Sequence, residues 1–348
     1  MNSPSDRFEI ALATPADGPE LAALYASDDG FPGQVQVLFT RGRDAYASLL
    51  AEGDGVVVPI TRERSTGRIV GMGACVLRTA WVNGTPRRVG YLTGLKGLPE
   101  FRRRVPLIPQ VYAFLRERTP EVECYYTTIL SENVLARRML ERRRPTMPEY
   151  RTVGEYTTSC FRVGWRPWAA SRLTGGTLAD LTALAGVPGR FNLAPVGAPA
   201  GLTDADVRLL RDRDGTPLAG CAVWDQRAHK QYVVTGYGER YSRLAGLPVH
   251  WAGYPRLPRV GTPADYVSVA ALAARGDDPR LAADLLRAVG WENRRRHFVM
   301  VGLVDGHPLA PAVARLRRIA YGSVLYTVHF GDEPGLDERP VGLDVGLL

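Results

Sequence analysis

The chain has 348 residues, of which 45% are hydrophobic and 23% are charged. This balance excludes a disordered chain, which lacks the apolar surface to offset its conformational entropy. The length favours two domains of ordinary size over one. No run of 18 apolar residues is present, and no apolar stretch follows the polar start. We therefore expect no membrane span, no secretory signal and a cytoplasmic protein.

The basic excess is concentrated in arginine. Lys and Arg total 44 against 36 Asp and Glu, a formal net charge of +8, and runs of three arginines begin at Arg102, Arg142 and Arg294. A guanidinium pairs with phosphate through a planar fork of donors. The runs therefore indicate either a phosphate-bearing ligand or solvated helix faces. Nucleic acid is disfavoured as a partner, since no aromatic residues interleave with the clusters.

Cysteine and histidine spacing gives no sign of a metal or disulfide site. Cys75 and Cys221 lie inside apolar runs, and no CxxC pair occurs. This pattern predicts buried free thiols in a reducing compartment. The histidines show neither HxxxH nor HxH spacing, so we predict no metal site.

Residue periodicity gives the order of elements in the first half. It predicts strand 8–13, helices 18–27 and 43–52, strands 56–60, 69–79 and 89–98, helix 106–118, strand 123–130, helix 134–142 and strand 155–163. A segment with Trp165, Trp168 and paired glycines follows, and we interpret it as a linker that packs down.

The second half repeats this order loosely. It predicts helix 178–185, strands 207–211, 218–224, 231–234 and 266–272, helix 279–294, strand 298–304, helix 311–318 and strand 323–330. Residues 332–348 are rich in Gly and Pro, as is typical of a tail. We therefore expect an α/β (α+β) chain with domains 1–164 and 165–331 and a tail 332–348, each domain a mixed, mostly antiparallel sheet flanked by helices.

The most informative segment joins a predicted strand to a predicted helix. It reads Leu95-Lys96-Gly97-Leu98-Pro99-Glu100-Phe101-Arg102, and Arg103, Arg104 and Val105 follow at the start of the helix. Unpaired backbone N–H groups and the dipole at a helix N-terminus favour an anion. Arginines at that point strengthen the case for a pyrophosphate; a solvated surface turn is the alternative.

A second informative segment follows the next predicted strand. Residues 127–140 end a strand and continue as Asn133-Val134-Leu135-Ala136-Arg137-Arg138-Met139-Leu140 on a helix. On general grounds, Asn133 is read as a helix cap.

Together the two segments resemble the GNAT acyltransferase superfamily over residues 8–163. The first is similar to its acyl-CoA signature, a strand reading L-x-V-x-P followed by x-[YF]-R and a glycine-bearing loop, and the second to its N-x-x-A-x-x-L helix. The resemblance implies that Leu95, Lys96, Gly97 and Leu98 hold CoA, that Arg102, Arg103, Arg104 and Val105 lie near its phosphates, and that Asn133 lies near the pantetheine. Where the family loop has glycines, this chain has Arg103, Val105 and Leu107.

The resemblance implies a CoA-dependent N-acyltransferase. Acetyl-CoA is the expected donor, and another acyl-CoA is the alternative. The acceptor is an amine of a small molecule or a peptide. Attack on the thioester needs a base, for which Glu132 is our carboxylate candidate. Tyr126 is our second catalytic candidate, with core packing as the alternative. The position where the family often has a tyrosine acid holds Leu140.

Four interpretations remain open. In the second half, Asp277 and Asp278 precede the helix where phosphate would bind, so we expect a degenerate GNAT-like domain without CoA. Asp28 and Asp29 fall where the family's acceptor loop lies, where they would either bind a cationic acceptor or solvate the loop. The cluster between Asp225 and Lys230 would either line a cleft between the halves or form a local ion pair, which we favour. A catalytically inactive binding module is the alternative function.

Overall fold

A computed structural model describes residues 7–27, 30, 33–101, 107–243, 252–331 and 333–348. Its elements in the first half follow the predicted order closely. They are β1 (Phe8–Leu12), α1 (Gly18–Ala26), β2 (Val35–Thr40), α2 (Ala45–Leu50), β3 (Gly55–Val57), β4 (Pro59–Glu63), β5 (Ile69–Val82), β6 (Thr85–Gly97), α3 (Ile108–Glu117), β7 (Cys124–Leu130), α4 (Val134–Leu140) and β8 (Glu149–Phe161).

The second half also keeps the predicted order, with longer strands toward its end. Its elements are β9 (Leu173–Gly175), α5 (Leu178–Ala185), β10 (Val207–Arg211), β11 (Pro217–Trp224), β12 (Gln231–Tyr237), α6 (Glu239–Ser242), β13 (Tyr266–Ala274), α7 (Pro279–Glu292), β14 (Phe298–Val304), α8 (Ala310–Ala314) and β15 (Arg318–His329). The predicted helix 311–318 ends early, because from Arg318 onward the chain pairs with β8 instead.

Most strands of the described chain form one sheet. Its order is β1-β4-β5-β6-β7-β15-β8-β14-β13-β11-β10-β9, with β3 beside β5. Neighbours are antiparallel except the pairs β6–β7 and β13–β14, which are parallel. The predicted fold class, a mixed and mostly antiparallel sheet flanked by helices, is confirmed.

The two halves exchange their last strands. β8, from the first half, pairs with β14 of the second, and β15, from the second half, pairs with β7 of the first. β8 and β15 also pair with each other over most of their length. The two predicted sheets are therefore continuous, since each is completed by a strand from the other half.

A small second sheet also joins the halves. β2 and β12 pair antiparallel from Thr40 and Gln231 to Val35 and Tyr237. β2 was not predicted, although its alternation of apolar and polar residues is typical of a strand.

Helices cover both faces of the first-half sheet. On one face, α1 and α2 contact β5, and Leu21, Tyr25 and Leu49 join the core there. On the other face, Tyr112 and Leu115 of α3 pack in a separate cluster with Tyr125. The C-terminal segment, expected to be a tail, instead packs into the core, where Leu343 and Val345 are buried.

Candidate functional site

The two parallel strands β6 and β7 separate after three residue pairs. The pairs join Val89 to Cys124, Gly90 to Tyr125 and Tyr91 to Tyr126. Beyond Tyr91 and Tyr126 the ladder ends, although the strands continue to Gly97 and Leu130. The diverging carboxyl ends of the two strands form a V-shaped opening, which Thr127 Oγ1 spans near its inner end by donating to the Leu92 carbonyl at 2.7 Å. We call this opening the first splay.

A bulge in β6 accompanies the separation. Between Thr93 and Lys96, β6 has one more residue than its partner β5. Gly94 takes up the bulge with a φ of +63°, a conformation that glycine adopts without strain. A side chain there would also collide with α1, because a Cβ on Gly94 would lie 2.1 Å from the hydroxyl oxygen of Tyr25.

Two tyrosines close the inner end of the first splay. The rings of Tyr91 and Tyr126 lie 5.2 Å apart, and the Tyr91 hydroxyl lies 3.3 Å from Oγ1 of Thr128 on the diverging strand. Arg78 Nη1 donates to the Tyr126 hydroxyl at 2.6 Å. Burial raises the pKa of Tyr126 to about 12, so its hydroxyl keeps its proton at neutral pH.

A buried cluster of charges lies behind these tyrosines. Glu52 accepts from Arg41 Nη1 at 2.6 Å and lies 3.0 Å from Lys230 Nζ, and Arg78 Nε donates to the Glu52 carbonyl at 2.7 Å. Burial alone would raise the pKa of Glu52, but the charges of Arg41 and Lys230 outweigh it and hold the pKa below its ordinary value. Burial lowers the pKa of Lys230 to about 8, although the negative charge of Glu52 acts to raise it.

The expected local pair between Asp225 and Lys230 is wrong. Asp225 pairs with Arg227 and Arg296, whereas Lys230 reaches across to Glu52 of the first half. The reason is burial: Lys230 lies in the interior, where only a buried carboxylate can balance its charge. Lys230 therefore joins the two halves through a buried ion pair and does not line a cleft between them.

The residues predicted to hold the donor lie along the outer part of β6. Leu95 is exposed, Gly97 pairs with Gly71, and Leu98 is buried with its N–H donating to the Val70 carbonyl at 2.9 Å. Lys96 Nζ donates to the Tyr25 carbonyl at 3.0 Å. The predicted phosphate contacts Arg102, Arg103, Arg104 and Val105 lie outside the described residues.

Asn133 and Glu132 follow the end of β7, beside the first splay. Asn133 Oδ1 accepts from the N–H of Ala136 at 3.2 Å, so Asn133 caps α4. Glu132 is exposed, and its carboxylate lies against Gly33, where a Cβ would come within 2.4 Å of Glu132 Oε2. Glu132 thus borders the predicted acceptor loop, whose Asp28 and Asp29 lie outside the described residues. Leu140 is buried.

The second half contains a second splay between β13 and β14. These strands also pair in parallel over three residues, beginning with Tyr266 and Phe298, and Ala271 in β13 has a φ of +50°. Here the chain's own C-terminal segment lies against both strands. Asp344 Oδ1 accepts from the N–H of Ala271 at 3.0 Å, and the Tyr156 hydroxyl donates to the Leu343 carbonyl at 3.2 Å.

The carboxylates predicted to repel phosphate in the second half have structural partners. Asp278 Oδ1 accepts from the N–H of Arg280 and caps α7, and Asp277 forms a two-point ion pair with Arg190. Residues 343–347 occupy the second splay, whereas the first splay has no such segment among the described residues.

Several polar groups around the first splay were missed by sequence reasoning. Tyr25, Arg41, Glu52 and Arg78 come from four separate elements or turns, and all are buried. No spacing in the sequence links them, because only the packing of α1 and α2 on β5 brings them together. A glycine inside a strand pattern does signal a bulge, so Gly94 could have been found.

Two absences characterise the part of the chain that the structure describes. There, no group of three or more His, Cys, Asp and Glu side chains is placed to hold a metal ion. Nor does any described helix have the length and apolar character needed to cross a membrane.

Two parallel strand pairs, each splayed beside a bulge and joined through exchanged last strands, define the GNAT acyltransferase fold in tandem. The chain has that fold, which confirms the resemblance seen in the sequence at the level of structure. The N-myristoyltransferase of Saccharomyces cerevisiae, crystallised with bound myristoyl-CoA, matches with a TM-score of 0.57 over 99% of this chain and 93% of that chain, at 10% identity.

A Pyrococcus horikoshii protein assigned as an acetyltransferase matches with a TM-score of 0.51, covering 98% of this chain and 95% of that chain at 12% identity. No family model and no curated protein sequence matches the chain. At such low identity, the likeness establishes the fold; the activity has to be argued from the site.

Proposed function

We propose that this protein is a CoA-dependent N-acyltransferase that uses the first splay as its donor site. The observation that carries the proposal is the separation of β6 from β7 after Tyr91, with the bulge at Gly94 beside it. A slot between two strands can take an extended pantetheine arm along exposed backbone. The myristoyl-CoA complex of the yeast enzyme with the same fold supports an acyl-CoA as the ligand.

The donor would lie along Leu95 to Leu98, with its phosphates near Arg102 to Val105. Guanidinium groups there would supply charge where the family has backbone donors from glycines. Asn133, as the cap of α4, would lie beside the pantetheine.

The reaction would be a direct transfer. The nitrogen of a neutral amine attacks the thioester carbonyl, a C–N bond forms, and the C–S bond breaks to release CoA thiolate. Glu132 is proposed to accept the proton of the attacking amine, since its carboxylate borders the predicted acceptor loop at Gly33. Tyr126 is proposed as a proton source for the thiolate, because its buried hydroxyl stays protonated at the inner end of the slot.

A short acyl group, acetyl by default, fits the inner end of the slot best. Tyr91, Tyr126 and Thr128 close it, and the cluster of Arg41, Glu52 and Arg78 behind them is buried and charged. A long apolar chain in that direction would have to displace buried, paired charges, which costs several kcal/mol.

The test measures donor binding and turnover separately. Calorimetric titration should show acetyl-CoA binding to the wild type, and Arg102→Ala should weaken that binding roughly ten-fold through loss of a charge-assisted phosphate contact. Arg142→Ala, from an exposed arginine run elsewhere, is the matched control and should bind like the wild type. An unchanged constant for Arg102→Ala would place the phosphates elsewhere.

Turnover is followed as release of free thiol across a panel of amines and short peptides. Glu132→Gln should lower kcat by about a hundred-fold with the donor constant kept, as expected for loss of a general base. Acetyl-CoA binding without thiol release for any amine would instead support the inactive binding module. No binding at millimolar acetyl-CoA would exclude the donor site, and faster transfer from myristoyl-CoA would contradict the short acyl group.

A further inference from the structure

Four segments without acidic residues meet at one edge of the sheet. They are residues 162–172, 252–263, 293–298 and 310–322, which together hold eleven arginines and no Asp or Glu. The first segment follows the end of β8, and the other three lead into the starts of β13, β14 and β15. The pairing of these strands places the end of β8 beside those three starts, so the four segments lie along the same edge. This edge therefore carries a dense positive charge.

Contacts between side chains join these segments into one surface. Arg317 lies over the ring of Trp165 at 5.6 Å and over that of Tyr254 at 5.9 Å, and it donates to the carbonyl of Ala252. Arg162 donates to the carbonyl of Arg294 at 2.8 and 3.1 Å. We call the surface formed by Arg162, Trp165, Tyr254, Arg256, Arg294 and Arg317, together with Trp168 three residues after Trp165, the arginine–tryptophan face.

The face exposes aromatic rings beside its guanidinium groups. Trp165 is 60% exposed, Trp168 69% and Tyr254 45%. Together with Tyr321, these are all the aromatic side chains among the strongly exposed large apolar residues of the described chain, and all lie in the four segments. Arg172 lies over Trp168 at 4.8 Å. Along the sequence the arginine runs lack aromatic neighbours, but folding places rings among them.

Three arginines of the face have no carboxylate partner in the part of the chain that the structure describes. Within the described residues, Arg256, Arg294 and Arg317 form no ion pair, whereas the neighbouring Arg296 pairs with both Asp225 and Asp265. Burial, and then the charges of Arg256 and Arg294, lower the pKa of Arg162. The ion pairs of Arg296 with Asp225 and Asp265 therefore form the boundary of the face. The arginines inside that boundary repel one another, and a bound polyanion would stabilise them.

We propose that the arginine–tryptophan face binds single-stranded nucleic acid, with phosphates paired to Arg256, Arg294 and Arg317 and bases stacked on Trp165 and Trp168. Stacking rings beside a basic groove are the elements that bind single strands without sequence preference. An anionic membrane fits less well, because Trp165, Trp168 and Tyr254 each contact a guanidinium and leave no continuous apolar surface to insert. The proposal does not depend on acyl transfer.

The test is fluorescence anisotropy of a labelled oligouridine of about 12 nucleotides with the full chain, at about 50 to 200 mM NaCl. We expect micromolar binding at low salt and a log–log salt slope of about −2 to −3, since three or four phosphates are neutralised. Arg294→Ala and Arg317→Ala should each weaken binding about ten-fold and reduce the slope by nearly one. Trp165→Ala should weaken it about ten-fold with the slope kept.

The matched control is Arg118→Ala, which removes an arginine lying 3.3 Å from the ring of Phe114 on α3 and next to Glu117. Its affinity should equal that of the wild type, and thermal unfolding by circular dichroism should show every variant folded. Equal weakening by Arg118→Ala would reduce the effect to net charge and overturn the proposal. So would absence of binding at low salt, displacement of the oligonucleotide by acetyl-CoA, or binding only to phosphatidylserine vesicles.

Discussion

At the scale of single residues, Glu52 balances more charge than any other described carboxylate in the core. Its side chain is 1% exposed and faces Arg41, Lys230 and Arg78. One of these pairs crosses between the halves, because Lys230 belongs to the second half, just before β12. Such an arrangement fixes how the halves meet, and its stability depends on every partner being present.

Glu52→Gln should therefore destabilise the protein strongly. Three buried cations would lose their carboxylate, and breaking a buried pair in this way costs roughly 3–5 kcal/mol. Urea unfolding followed by circular dichroism measures the difference. Glu123→Gln is the control, since Glu123 and Arg87 form an exposed pair for which we expect less than about 1 kcal/mol. Equal losses in the two variants would contradict the importance of burial.

Tyr25 is the residue most closely linked to the proposed chemistry that the sequence did not reveal. Its hydroxyl is buried, faces Gly94 at the bulge and lies close to the Arg41 guanidinium, and it makes no hydrogen bond of good geometry within the described residues. A buried hydroxyl without a partner is rare in folded proteins. Beside the first splay, it is placed to contact a bound thioester.

On the proposed function, Tyr25→Phe should lower kcat about ten-fold, with little change in stability or donor affinity, because the lost hydroxyl has no protein acceptor. Tyr126→Phe differs, since it removes the proposed proton source and also leaves Arg78 Nη1 without its acceptor, so it should lower kcat and in addition cost about 1–3 kcal/mol of stability. Thiol release and urea unfolding measure the two effects. Unchanged turnover in Tyr25→Phe would remove this hydroxyl from the reaction.

At the scale of elements, the sequence predicted what local patterns determine. β10 and β14 have the predicted bounds, since apolar runs ended by turn residues define them. The order β6, α3, β7, α4 was also predicted, and with it the place of the proposed donor site. The bulge at Ala271 could not be predicted, because alanine carries no preference for a positive φ. That backbone is supported by Asp344, some 70 residues later in the chain.

Asp344 should make stability depend on pH in an unusual direction. Burial raises the pKa of its carboxyl from an ordinary value of 3.8 to about 6, although the hydrogen bond from the Ala271 N–H acts to lower it. Between these values the folded protein holds the proton that the unfolded chain releases. Stability from this group is therefore present below about pH 4 and is lost as the pH rises through 6, by about 3 kcal/mol.

Asp344→Asn keeps an acceptor for the Ala271 N–H and removes the titration. Relative to the wild type, the variant should gain stability as the pH rises from 4 to 7. Urea unfolding of both proteins at several pH values gives the difference directly, so that other titrating groups cancel. A difference that does not change with pH would show that Asp344 is already ionised in the fold.

At the scale of the whole molecule, one continuous sheet contains strands from both of the halves that the sequence predicted. The strand order β7-β15-β8-β14 alternates between the halves, so the central hydrogen bonds all cross between them. Sequence reasoning could not foresee this exchange, because β8 and β15 have patterns that suit either neighbour. The predicted boundary between residues 164 and 165 thus separates two halves that repeat the order of elements but share one sheet.

Fragments cut at that boundary should fail to fold alone. In the fragment 1–164, β8 would lack both of its partners, β14 and β15, and one edge of β7 would be unpaired. Glu52 would also lose its ion pair with Lys230. Unpaired strands and an unbalanced buried charge both disfavour the isolated half. We expect each fragment, 1–164 and 165–348, to be unfolded or aggregated, and the two expressed together to form a folded complex with the circular dichroism spectrum of the intact chain. Cooperative unfolding of fragment 1–164 by itself would contradict this, because it would show that the first half completes its sheet without the exchanged strand.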